Sequence, residues 1–112
     1  MDEPRYCDLY QYYNIPHSFR IANHDFEVLI QDYVEVEGDY VYGTFSSSKQ
    51  QILIATRIKT EKEDLRLTDE CIRNSFWHEV FHCFNYFWNT DTDEGLAQSF
   101  ANFMREYEIT RK

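Results

Sequence analysis

The chain has 112 residues, one domain's worth of sequence, and at that size it buries roughly two-thirds of its unfolded surface. Eleven Lys and Arg stand against twenty Asp and Glu; the resulting formal charge of -9 opposes binding to nucleic-acid phosphates or to an anionic membrane surface. Aromatic residues make up 18% of the chain, with only three Gly and two Pro, which excludes collagen-like, low-complexity and disordered classes.

The first residues, Met1 to Arg5, lack the basic and apolar regions of a secretory signal. The densest apolar stretch, Phe76 to Trp88, is too short to cross a bilayer and contains His78, Glu79, His82 and Asn85. Cys7, Cys71 and Cys83 are odd in number and form no CxxC pair, as expected of reduced thiols. A soluble, cytoplasmic protein is the expectation, with the cysteines serving as small buried hydrophobes.

Residues 1–20 show no clear period and read as an aromatic N-terminal arm, with at most one helical turn before Pro16. From Phe26 the apolar residues Phe26, Val28, Ile30, Val34 and Val36 alternate with Glu27, Gln31, Glu35 and Glu37, the period of a half-buried strand. Gly38-Asp39 signals a turn, and Tyr40 to Phe45 reads as a second strand. After the polar Ser46 to Lys49, Gln50 to Thr56 reads as a third, with Ile52 and Ile54 on one face. The expected sheet is a three-stranded antiparallel meander.

The second half changes period. Thr60 to Glu63 matches a capping box, and Thr68 followed by Asp69 and Glu70 is a second helix-start signal. One of the two opens a helix that runs to about Trp88, with Ile72, Phe76, Val80, Phe84 and Phe87 as its apolar stripe. Asn89 to Thr92 is a break, and a second helix from Asp93 to about Glu108 presents Leu96, Ala97, Phe100, Phe103, Met104 and Tyr107. Neither repeats nor a dividing linker are present, so the expectation is a single α+β domain over residues 1–112, the meander followed by two antiparallel helices.

His78-Glu79-Val80-Phe81-His82 lies inside the first of these helices. Each residue of a helix turns by about 100°, so His78 and His82 leave one face about one turn apart and can share a metal ion. Neutral imidazole suits Zn2+, which in catalytic sites takes three protein ligands and a water. Glu79, one step round, reaches that water and can move its proton. With four His and eleven Glu in the chain, chance gives this pattern in roughly one such chain in a hundred. Cys71 is roughly 10 Å along the helix from His78, too far to share the ion.

The third ligand must come from elsewhere. A glycine and a histidine at three and six residues after His82 would mark a metzincin, but Asn85 and Trp88 stand there. Glu94, at the start of the next helix, is the candidate that a short loop returns towards the histidines; Asp91 and Asp93 are its rivals. His17 and His24 read as surface or turn residues.

His78 to His82 followed by Glu94-Gly95-Leu96-Ala97-Gln98-Ser99-Phe100-Ala101 resembles the gluzincin pattern, HExxH with a glutamate on the following helix. The likeness is to minimal gluzincin-like metallopeptidases of phages and prokaryotes, and more loosely to ImmA/IrrE-type peptidases. It covers about residues 24–108 and includes Tyr42-Gly43-Thr44-Phe45 and Lys49-Gln50-Gln51-Ile52 as the strands before the motif helix. The resemblance implies a zincin-like core, His78, His82 and Glu94 as zinc ligands, Glu79 as general base and acid, and an edge strand that holds an extended peptide. The departures are a short interval to the glutamate and no substrate subdomain after the second helix. Asp93 and Gln98 stand where larger relatives have Asn and Asp. No motif supplies an oxyanion donor, for which Tyr40, Tyr42 and Tyr107 are the candidates. The expected function is zinc-dependent hydrolysis of a peptide or protein substrate. The alternative is a catalytically silent, zinc-stabilised binding module.

Overall fold

The alternation that starts at Phe26 becomes part of the centre of a four-stranded sheet. The computed structural model describes residues 8–88 and 93–112, with the backbone alone for Asp8 and for residues 93–97. In chain order the elements are α1 (Asp8–Tyr13), β1 (Ser18–Ile21), β2 (His24–Gln31), β3 (Val34–Val36), β4 (Asp39–Val41), β5 (Gly43–Ser46), β6 (Gln51–Ala55), β7 (Arg57–Lys59), β8 (Asp64–Arg66), α2 (Asp69–Phe87) and α3 (Asp93–Thr110). The architecture is mixed α+β. The main sheet has the order β1-β2-β6-β5, and β3-β4 and β7-β8 form two separate hairpins.

This differs from the expected meander in two places. The first expected strand ends early because Asp32, exposed, occupies the position where the alternation calls for an apolar residue. The chain turns there, and Val34 and Val36 belong to the β3–β4 hairpin, which also takes the first half of the expected second strand: Tyr40 lies in β4 and Thr44 and Phe45 in β5 of the main sheet. The second difference is order. β6 lies between β2 and β5, parallel to β2 (Val28 opposite Ile52, Ile30 opposite Ile54) and antiparallel to β5 (Phe45 opposite Ile52). Burial explains the choice. Ile52, Ile54 and Ala55 are buried and Leu53 half-buried, so β6 is apolar on both faces and suits the interior of a sheet. Every residue of β5 is half-buried, which suits an edge.

The stretch read as an arm is largely part of the fold. β1 pairs with β2 through a two-residue loop, Ala22 and Asn23, with φ of 51° and 66°. Two successive positive φ values make the type I′ geometry whose twist matches the strands. Glu37 and Gly38 (φ 50° and 86°) do the same between β3 and β4, so the turn sits one residue earlier than Gly38-Asp39. On α1, the buried Tyr10 hydroxyl donates to the Val28 carbonyl at 2.9 Å and accepts from the Ile30 amide at 3.3 Å. Residues 1–7, with Cys7, lie outside the described residues.

Thr68 is the residue that opens the long helix. Its backbone is extended (φ -69°, ψ 156°) and its hydroxyl accepts from the Cys71 amide at 3.2 Å. Thr60 instead closes the β7–β8 hairpin, its hydroxyl accepting from the Glu63 amide at 3.1 Å. Of the expected stripe, Ile72, Phe76, Val80 and Phe84 are buried. α2 packs over β5 and β6, and α3 over β1. Phe84 meets Phe100 and Phe103 at ring separations of 5.3 Å, and Trp77 meets Tyr107 at 5.5 Å. Asn89 to Thr92, read as a break and cap, lie outside the described residues, as do the side chains of Leu96 and Ala97. Among the described residues no helix is long and apolar enough to cross a membrane.

Candidate metal centre

α2 buries its sheet-facing stripe, and the helical period then fixes what the other faces show. His78 and His82 point about 180° from Val80 and are exposed. Glu79 turns towards β5 and is buried. The Nε2 atoms of the two histidines are 3.0 Å apart, with ring centroids 4.6 Å apart and planes at 82°. One ligand atom from each of His78, Glu79 and His82 lies within 4.8 Å of the others.

The donor set fits a zinc ion. Two nitrogens bound at about 2.0–2.1 Å in a tetrahedron lie about 3.3 Å apart, close to the observed separation. Burial raises the proton affinity of the Glu79 carboxyl, and the nearby His82 and His78 lower it. Burial prevails, so the group rests above the usual carboxylate range.

Gly43 lets β5 come this close. A methyl group at that position would stand 2.9 Å from the Leu53 carbonyl oxygen, 3.3 Å from Ile54 Cδ1 and 3.4 Å from Glu79 Cγ. The bare Gly43 leaves room for the Leu53 carbonyl of β6 and for the Glu79 side chain of α2. Two connected hollows result. One, of about 520 Å3, is lined by Gly43, Thr44, Phe45, His78, Glu79, His82, Asn85 and Tyr86. The other, of about 590 Å3, runs from His78 and Glu79 to Thr68 and Glu70, with Val41 and Tyr42 on the opposite wall. Among the described residues β5 has no strand partner on its outer side.

The structure brings together His78, Glu79 and His82. Glu94 is in the first turn of α3, but its side chain lies outside the described residues, as do Asp91 and the side chain of Asp93. Of the tyrosines considered as oxyanion donors, Tyr107 is fully buried against Phe19, Phe76 and Trp77 and is excluded from that role. Tyr40 packs on Tyr33, and Tyr42 lines the cleft. His17 stacks on Tyr10 and His24 on Phe87, both away from the cluster. Gly43 was missed as a site residue; a lone glycine inside a strand pattern is the signal of a close backbone approach. No protein-family model, curated protein or solved structure matches the chain.

Proposed function

We propose that the chain is a zinc-dependent metallopeptidase with a minimal zincin-like core. The observation that carries this reading is the convergence of His78, His82 and the buried Glu79 carboxyl beside an open-edged strand. His78 and His82 hold the ion, with Glu94 as the third protein ligand. Zinc bound there supplies a polarised water and a Lewis acid for the scissile carbonyl. Glu79 takes the proton from the water and delivers it to the leaving amine. The outer edge of β5 holds the substrate in extended form by main-chain hydrogen bonds. Of the three candidate tyrosines, Tyr42 is the one on the cleft wall, where it lines the path of the substrate.

The test is metal analysis of the purified chain combined with cleavage of a peptide library. The expected results are one zinc per chain, loss of that zinc in Glu94→Ala, and a Glu79→Gln variant that keeps zinc but cleaves about 10²–10⁴-fold more slowly. Cleavage by Glu79→Gln at the parental rate would overturn the mechanism. Zinc loss on changing Asp93 but not Glu94 would reassign the third ligand. A zinc-dependent rise in melting temperature with no cleavage of any peptide would leave a zinc-stabilised binding module.

A further inference from the structure

The larger hollow extends well beyond what holding a metal needs. It follows α2 back from His78 to Glu70 and Thr68, eight to ten residues, or roughly 12–15 Å at the helical rise. Its charged lining is acidic apart from the His78 imidazole: Glu70 and Glu79 are there, and neither Lys nor Arg is. Asp69, beside Glu70, is engaged by the Tyr12 hydroxyl. Arg73, one turn further on, is held elsewhere, with its guanidinium donating to the Tyr12 carbonyl at 3.3 Å and lying over the Tyr13 ring. Glu70 is exposed and has no hydrogen-bond or ion-pair partner among the described residues. Tyr42, 53% exposed, lines the same hollow and gives it an aromatic wall.

We propose that this hollow is a specificity subsite for a Lys or Arg side chain of the peptide, with Glu70 as its charge partner and Tyr42 along its stem. The assignment rests on the peptidase reading of the neighbouring cluster. Reach agrees with it. An extended peptide advances about 3.3 Å per residue, so a basic residue one or two positions from the scissile bond has its backbone within a side chain's length of Glu70. The aliphatic stem covers apolar wall while the cation meets the carboxylate, and Tyr42 adds a ring face to the same cation. The formal charge of -9 draws cationic peptides to the whole molecule, and Glu70 is the exposed carboxylate that lines this hollow.

The experiment uses the zinc-loaded full chain and fluorescent peptides identical except for one position, which carries Lys, norleucine or Glu. Cleavage is measured with the parent, and binding by anisotropy with the Glu79→Gln protein. The expected result is that the Lys peptide is favoured about tenfold over norleucine at low salt, with the Glu peptide worst. That ratio falls with added salt and collapses in Glu70→Gln, and Glu70→Lys inverts the order of Lys and Glu peptides. Cleavage with no Lys preference, or with a preference that survives Glu70→Gln, overturns the subsite and leaves the peptidase reading standing. Glu70-dependent binding of the Lys peptide without cleavage supports the subsite and overturns the peptidase reading. Neither binding nor cleavage overturns both.

Discussion

Replacing Gly43 by alanine tests the joint on which the site depends. The new methyl would sit 2.9 Å from the Leu53 carbonyl oxygen, about 0.5 Å inside ordinary contact. That carbonyl belongs to the backbone of the central strand β6, where Leu53 lies opposite Thr44 of β5 and Leu29 of β2, so it cannot swing aside as a side-chain tip can. Overpacking of this kind costs about 1–3 kcal/mol, and alanine returns about 0.4–1 kcal/mol by stiffening the unfolded chain. The net loss is about 1–2 kcal/mol, or a fall in melting temperature of about 4–8 °C for a domain of this size. Urea unfolding measures it as a lower midpoint with an unchanged slope. Gly38 is the control, because its φ is 86° and nothing lies within 4 Å of a methyl built there. At Gly38 the cost is conformational, about 1 kcal/mol for alanine and less for asparagine, which tolerates positive φ. At Gly43 asparagine is worse than alanine because the constraint is space. A Gly43→Ala protein as stable as the parent, or the same ranking of alanine and asparagine at both glycines, would refute the close approach of Gly43 to the β6 backbone.

Three further outcomes are expected. Ala22 holds the first place of a type I′ turn with φ of 51°, so Ala22→Gly should stabilise the chain by about 0.5–1 kcal/mol, read as a higher urea midpoint, and a loss would argue against that turn. The Tyr107 hydroxyl is buried with no hydrogen-bond partner among the described residues, so Tyr107→Phe should be neutral or stabilising by up to about 1 kcal/mol; a loss above that would mean the hydroxyl has a partner. Burial pushes the Cys83 thiol up to about 12, leaving little thiolate at pH 8, whereas Cys71 is half-exposed on the cleft wall. Iodoacetamide followed by mass spectrometry should mark Cys71 in the folded chain and Cys83 only after unfolding, and equal labelling would contradict the packing of α2.

Whether a feature could be read from the sequence depended on whether its cause was local. The long helix was legible because its period, its Thr68 cap and the His78 and His82 spacing are all properties of one short segment, and helical geometry carries the two imidazoles to within 3.0 Å without help from the rest of the chain. Thr60 showed the limit of that logic. A threonine hydroxyl accepts from an amide three residues on in a hairpin turn as well as at a helix start, and only the β7–β8 pairing separates the two uses. Strand order was harder, because pairing is settled by competition between distant segments. Neighbouring hairpins favoured β5 beside β2, but Ile52, Leu53, Ile54 and Ala55 needed cover on both faces and took the interior place. β1 was invisible for a related reason. Its four residues alternate too briefly to stand out, and what makes them a strand is the Ala22–Asn23 turn, with α3 packed on one face. The paired imidazoles on α2 could therefore be named from sequence. Gly43, packed against β6 and Glu79, and the hollow that Glu70 and Tyr42 line emerged only when β5 and α2 were seen together.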